Sequence, residues 1–532
     1  MRGASVGSPA GTLTSLNQTM LFRAVPLCVI AVLPCLARAA DAAPLATAPS
    51  AFVRAQASSG LRWHPWNAAT LAEARASGRS VYVFIGSPLS ELTRATVKQT
   101  FASEKTVAWL NENFFCLFVD ADAQPDVAAL GQHFIVSVKQ LRGQPVHLWL
   151  VPDTLQPYDG ANYLPPSEEW GKPGFLKAAR AALDTWKIDP ARARALAAEA
   201  LEMMRSVPLD LKAKPDVEAK LDAAAKAWVA ALDPVNGGFG SAPKQPEPEL
   251  IRFLLARGGP AREAALNAAR ALVNGALRDA VDGGFYRRCI DEAWKEPYYQ
   301  KTLLDQARIA LALFEAADVA KDEKLRAAGQ AALNFALKEL RNPDGTFAVA
   351  LDGTLEEGAD PAKRPVFVKV GSAAGAAQAQ LALALQQSGE KRFEEIAHGL
   401  VEKLPALLRE GRPGAPAHSW ESGVPATATD LLAAILCLKD RGNRTSGGEG
   451  LAEAKRLYFE PATGAFQASP LPLPEGITAR VPASGDTPSA EVLALLAGID
   501  LTTADLIRRN LMNQIEYDEL PPGDVLLGLS QK

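Results

Sequence analysis

Hydrophobic positions fall into two different rhythms along the chain. Early on they form short runs rich in β-branched and aromatic residues, at 80–86 (SVYVFIG), 114–119 (FFCLFV) and 146–151 (VHLWLV). Runs of this length, bounded by turn or helix signals, predict buried strands. Ser87-Pro88 supplies an N-cap and a first-turn proline for a helix reaching Gln99, and Ser103 opens a second helix through Asn113. Strand, helix, strand, helix, strand predicts an α/β unit with a largely parallel sheet, the third strand following a turn at Gly143-Gln144-Pro145.

From Asp189 onward the rhythm changes to apolar residues three and four apart. It predicts about a dozen helices: 191–206, 215–232, 247–257, 261–279, 301–318, 323–340, 372–388, 391–409, 426–440, 449–458, 488–498 and 502–515. Four connections echo one another: Gly237-Gly238-Phe239, Gly283-Gly284-Phe285, Gly345-Thr346-Phe347 and Gly464-Ala465-Phe466. The Phe spacings are 46, 62 and 119, and the last is about two periods, which places a degenerate copy near 412–418 (RPGAPAH). A helical hairpin repeated about six times closes into an α/α toroid, and periodicity alone leaves an open α-solenoid as the alternative.

The length of 532 residues accommodates both units, and 48% hydrophobic with 22% charged residues is ordinary globular composition. Lysine plus arginine number 56 against 60 acids, a net charge of −4, too balanced for a surface that tracks polyphosphate, so nucleic acid is excluded as a default partner. Arg23, an apolar run from Ala24 to Leu36 and Ala37-Arg38-Ala39 predict a secretory signal over residues 1–39, with Met20 a second candidate start. Pro26 and Pro34 interrupt a run already too short to span a bilayer, so the expected product is exported, most simply periplasmic, without an integral membrane span. Cys116, Cys289 and Cys437 are widely spaced and form no disulfide framework. The five histidines (64, 133, 147, 398 and 418) show no ligand spacing, so neither a metal nor another cofactor is expected.

WHPW at 63–66, VYVFIG at 81–86, VDADAQPDV at 119–127, GQP at 143–145 and GANYLP at 160–165 resemble, in order and spacing, the thioredoxin-like domain of the spermatogenesis-associated protein 20 family. Further on, DPVNGGFGSAPKQP at 233–246, VDGGFYRRCIDEAWKEPYYQKTLLDQA at 281–307 and, more weakly, ARVPASGDTPSAEVLALLAGI at 479–499 are similar to segments of the same family. The resemblance implies a multidomain chain: a thioredoxin-like domain at 50–187 followed, at 188–532, by an (α/α)6 toroid akin to six-hairpin sugar epimerases and glycosidases. The chain is shorter than that pattern between 345 and 480. The family carries a Cys-x-x-Cys after the first of these strands, and its two positions fall here on Ser90 and Thr93. Hydroxyls cannot form the mixed disulfide of thiol exchange, so a thiol-disulfide oxidoreductase is excluded at this position. Pro145 matches the cis-proline that faces the thiols, and the Trp before it in the family is Gln144 here.

By the same resemblance, ligand would enter a central funnel. The candidate lining is Phe239, Lys244, Phe285, Tyr286, Arg287, Trp294, Tyr298 and Lys301, with Asp282, Asp291 and Asp305 as weak candidates for an acid and base pair. The family's Pro-His-Phe-Glu-Lys becomes Pro297, Tyr298, Tyr299, Gln300 and Lys301, so its His and Glu are lost. The expectation is a binding or scaffolding protein for a carbohydrate-like ligand or an exported protein partner, the alternative an active epimerase or glycosidase. Each Asp also has an ordinary reading as a turn, cap or ion-pair residue.

Overall fold

The computed structural model describes residues from Leu45 to Ser530, except 49, 206–207, 209, 211–215, 354–364, 372, 408–426, 441–443, 471–472, 474–475, 480, 482–500 and 516–519. The expected signal, the degenerate repeat at 412–418 and the helix at 488–498 lie outside the described residues.

Five strands form the α/β unit: β1 (Trp63–Pro65), β2 (Val81–Gly86), β3 (Phe115–Asp120), β4 (Val146–Leu150) and β5 (Pro157–Ala161), ordered β1-β3-β2-β4-β5. Alternation along β2 sorts the core chemically, because successive side chains point to opposite faces. Tyr82 and Phe84 join Trp63, Phe118 and Trp149 on an aromatic face; Val81, Val83 and Ile85 join Leu117, Val146 and Leu148 on an aliphatic one. The sheet is mixed rather than largely parallel, since β4 runs antiparallel to β2. The reason lies before the strand. Gln132 donates to the Gly143 carbonyl at 3.0 Å, drawing the loop back along helix Pro125–Ser137, and Gln144 accepts from the Ser87 amide at 2.9 Å. β4 therefore starts beside the end of β2 and has to descend.

The helix after β2 begins later than its sequence suggests. Ser87 accepts from the Leu89 amide and donates to Asp122 instead of capping, and the helix opens at Glu91 behind Ser90. Helix Pro190–Met203 packs on β5 and places Ala193 and Ala197 in the aromatic core and Ala200 in the aliphatic one. The α/β unit thus extends past the boundary expected at 187.

From Val217 onward the described α-helices are α1 (Val217–Ala230), α2 (Pro248–Arg257), α3 (Gly259–Asn274), α4 (Leu303–Ala320), α5 (Glu323–Phe335), α6 (Gly375–Gln387), α7 (Lys391–Leu407), α8 (Ala428–Asp440), α9 (Arg444–Tyr458), α10 (Leu501–Ile515) and α11 (Gly523–Leu529). Consecutive pairs form hairpins, and α2, α4, α6 and α8 pack side by side as an inner layer. Inner helices are apolar almost all round, as α4 shows from Leu303 to Ala317, because neighbours cover every side. The ring is closed. The Trp228 indole on α1 donates to the Pro521 carbonyl at 2.9 Å, and α11 packs on α2 so closely that a Cβ on Gly523 would meet the Leu250 amide nitrogen at 2.5 Å. An open solenoid is thereby replaced by a toroid.

Connections differ at the two ends. Inner helices pass to the next outer helix within a few residues, as at Gly258 and Lys321-Asp322, whereas 231–247, 275–302 and 341–374 are long and lead into inner-helix N-termini. The fourth Gly-x-Phe echo, at 464–466, follows α9, whereas the first three belong to these long connections on one face, the mouth. The α/β unit sits there: Leu89 and Arg94 touch Gln300 and Asp352, and Ala468, Ile477 and Val481 complete the aliphatic core beneath the sheet.

Candidate functional site: the seam at the toroid mouth

Two repeat-related turns build the mouth. In each an aspartate amide closes the loop, Asp233 onto the Gly238 carbonyl at 2.9 Å and Asp279 onto that of Gly284 at 3.0 Å. Gly238 and Gly284 have φ of 75° and 73°, and a Cβ on either would come within 2.7 Å of a ring, Trp294 or Phe335, so glycine is required twice over. Each aspartate then receives a buried lysine. Lys244 Nζ donates to Asp233 Oδ2 at 2.6 Å and to the Glu292 carbonyl at 3.0 Å, with the Trp294 ring 5.3 Å away. Lys301 Nζ donates to Asp279 Oδ2 at 2.6 Å and to the Gly283 carbonyl at 2.8 Å, among the rings of Phe335, Tyr286 and Phe367. Burial alone would raise the Asp233 carboxyl; the Asn236 amide, Lys244, the Asn236 side chain and the Val235 amide outweigh it and hold the group well below the usual carboxylate range.

Most residues expected to line a funnel are therefore internal supports. Phe239, Lys244, Phe285, Tyr286, Trp294 and Lys301 are buried, with Tyr286 Oη donating to Asp279 and the Trp294 indole to the Gly237 carbonyl. The three candidate carboxylates sit in three separate local arrangements. Asp282 is exposed beside the second turn. Asp291 accepts from the amides of Ala293, Lys295 and Glu296; although burial opposes them, these amides, that of Glu296 foremost, lower its pKa, the wrong direction for a general acid. Asp305 shares a reciprocal cap with Thr302, whose hydroxyl donates to it at 2.6 Å at the start of α4. Arg287 is exposed, and its guanidinium donates to Gln300 Oε1 at 3.1 Å.

Ser90 and Thr93 on one side, and Tyr298 and Gln300 on the other, flank the contacts that cross the seam. Ser90 Oγ accepts from the Thr93 amide at 3.3 Å, an N-cap role, while Thr93 is fully buried, its Oγ1 without a hydrogen-bond partner and packed over Gly86. The peptide bond before Pro145 is cis. From the toroid side, Gln300 Nε2 donates to the Leu89 carbonyl at 3.0 Å and to Asp352 Oδ2 at 3.2 Å. Arg94 answers from the α/β side, donating to Asp352 Oδ2 at 2.8 Å and to the Pro88 carbonyl at 2.8 Å. Tyr298 lies half-buried next to Arg94 with the Arg288 guanidinium 4.6 Å above its ring, and burial raises its pKa.

Sequence reasoning missed Asp279, Asp352 and Arg94. Asp279 carried a usable signal, since it stands before Gly-Gly-Phe as Asp233 does; the other two become a pair only through the docking of the units. The histidines stay out of the seam among the described residues. His147 is buried against Tyr82, whose hydroxyl lies 2.7 Å from Nδ1, and burial lowers it to about 3; His64 and His133 meet the carbonyls of Cys116 and Met204; His398 is exposed near Glu402. Cys116, Cys289 and Cys437 are buried and not in disulfides, and no group of three or more His, Cys, Asp or Glu among the described residues is arranged to hold a metal. No helix among the described residues is long and apolar enough to cross a membrane.

The fold defines a thioredoxin-like domain docked on an α/α toroid. Residues 42–206 match the thioredoxin-like DsbH family model, described as a protein of unknown function, DUF255. The chain is similar to spermatogenesis-associated protein 20: it is 26% identical to the Mus musculus protein over 328 residues, 58% of this chain and 40% of the relative, and 26% identical to the Homo sapiens protein over 321 residues, 58% and 41% respectively. The chain thus matches about two fifths of the length of these relatives. Similar solved structures include a sugar epimerase from a ruminal bacterium (TM-score 0.45, 13% identity, 59% of this chain and 97% of that one) and the cellobiose 2-epimerase of Spirochaeta thermophila (TM-score 0.46, 16% identity, 59% and 95%).

Proposed function

We propose that this is an exported binding or scaffolding protein without thiol redox chemistry, whose toroid mouth takes a carbohydrate-like or other polar ligand and whose thioredoxin-like domain braces that mouth. The observation that carries the reading is the fate of the four substituted positions. Ser90 caps a helix, Thr93 fills the core, Gln300 ties the toroid to the Leu89 carbonyl, and Tyr298 packs beside Arg94. Groups held in this way add rigidity at the seam and leave no hydroxyl positioned as a nucleophile there. Exposed Arg287, which also donates to Gln300, would meet a hydroxyl-rich molecule.

Thermal unfolding of the mature protein against mono- and oligosaccharides tests this, since a ligand at a hundred times its dissociation constant adds about 2.7 kcal/mol of stability. One sugar class is expected to raise Tm, and Arg287→Ala to remove the rise. No shift with any sugar would turn the reading toward an exported protein partner. Steady turnover of the bound sugar, lost in Asp305→Asn with unchanged Tm, would replace it by an epimerase or glycosidase. Export is checked separately by fractionation, with a mature N-terminus expected after Ala39.

A further inference from the structure

We infer that Arg287 and Arg288 at the toroid mouth receive a carboxylate, so that the ligand is a singly charged acidic sugar of the uronic-acid class. This rests on the binding function proposed above and narrows its ligand from polar to acidic.

Both arginines stand on one hairpin of the second mouth connection. The Arg287 amide donates to the Gln300 carbonyl at 2.8 Å, and the Tyr298 amide to the Arg288 carbonyl at 2.9 Å. This pairing sets each guanidinium against a position that differs from the family's Pro-His-Phe-Glu-Lys. Arg287 Nη1 donates to Gln300 Oε1 at 3.1 Å, and the Arg288 guanidinium lies 4.6 Å from the centre of the Tyr298 ring. A glutamate at 300 would neutralise Arg287 from within the protein; glutamine accepts the same hydrogen bond without the charge. Gln300 is fully buried and its Nε2 is held by the Leu89 carbonyl and Asp352, so the acceptor that orients Arg287 is itself fixed. Among the described residues no carboxylate pairs with Arg287 or Arg288, and Arg288 Nε is buried without a hydrogen-bond partner. Arg287 is exposed and uses one of its five N–H donors on Gln300, which leaves the guanidinium able to grip a carboxylate from solvent through paired hydrogen bonds.

The local charge selects the kind of anion. Arg94 faces the same place and is matched by Asp352 at 2.8 Å, while Glu91, on the helix after β2, acts on Tyr298. Three arginines against two acids leave one positive charge in excess, which complements a carboxylate and not a doubly charged phosphate.

Thermal unfolding of the full-length mature protein at low ionic strength tests this with galacturonate and glucuronate, their neutral parents galactose and glucose, and inorganic phosphate. The uronates are expected to raise Tm about twice as far as the neutral sugars at equal concentration, and about 0.5 M salt to remove the excess. Arg287→Gln and Arg288→Gln should each lose the excess, and Arg287→Lys, which keeps the charge but not the fork, should retain part of it. Equal shifts from uronates and neutral sugars would overturn the acidic class and leave the binding function standing; no shift with any sugar would overturn both. A uronate shift unchanged in both glutamine variants would put the carboxylate elsewhere and sink the assignment, as would a larger shift with phosphate than with either uronate.

Discussion

The first and second mouth turns use the same parts and end up with different tasks. Both have an aspartate, a glycine pair, a phenylalanine and a buried lysine, yet Asp233 keeps 14% of its side chain exposed and Asp279 only 3%. Both aspartates also accept amides of their own loops, Val235 and Asn236 onto Asp233, Val281 and Asp282 onto Asp279, and the first turn further draws on Trp294 from the second. The second encloses Lys301 among three rings and places Gln300, one residue earlier, against the α/β unit. A repeated motif thus became a brace in one copy and, in the next, both a brace and an interdomain contact.

Removing the lysines should separate the two most strongly. Both aspartates keep loop amides, but Lys301→Ala leaves Asp279 charged and almost wholly enclosed, with an expected loss of about 3–5 kcal/mol, whereas Asp233 in Lys244→Ala keeps contact with water, for about 1–3 kcal/mol. Denaturant unfolding of both variants measures the gap, and equal losses would show that the extra burial of the second pair has no energetic weight. The glycines come next. Gly284→Ala must displace Phe335 and also Gln306, whose Oε1 accepts from the Phe285 amide, while Gly238→Ala meets mainly the Trp294 ring. Each is expected to cost roughly 1–3 kcal/mol, with Gly284→Ala the larger, read from Tm.

Acid should act more gently and on the first turn. A carboxyl with a lowered folded pKa contributes stability that is present above its unfolded value and is lost as pH falls through the folded one. For Asp233 that loss starts below pH 3.8, its ordinary value, and Asp233→Asn should flatten this part of the stability profile.

The helices were legible because each inner helix must be apolar nearly all round and each outer one along a stripe, patterns that survive in composition. The seven-residue α11 was not, being too short to show a period. β1 and β5 escaped notice because they are short edge strands, each containing a proline. The direction of β4 depends on Gln144 reaching the Ser87 amide, a contact formed only on folding. At the mouth, lysines amid aromatics were legible as a cluster, but Lys244 and Lys301 read as ligand-facing cations until burial paired them with Asp233 and Asp279. The seam was invisible for a simpler reason: Arg94 and Asp352 are 258 residues apart.

Ring closure also sets a schedule for synthesis. The flank of α2 that α11 covers has no partner until residues 521–529 have left the ribosome, so hairpin one emerges with an uncovered apolar side and waits through most of translation. Contacts this distant in sequence are slow to form and leave intermediates prone to associate. A nascent chain of this protein therefore needs protection at its first hairpin for as long as the last is unmade, whatever the finished ring binds.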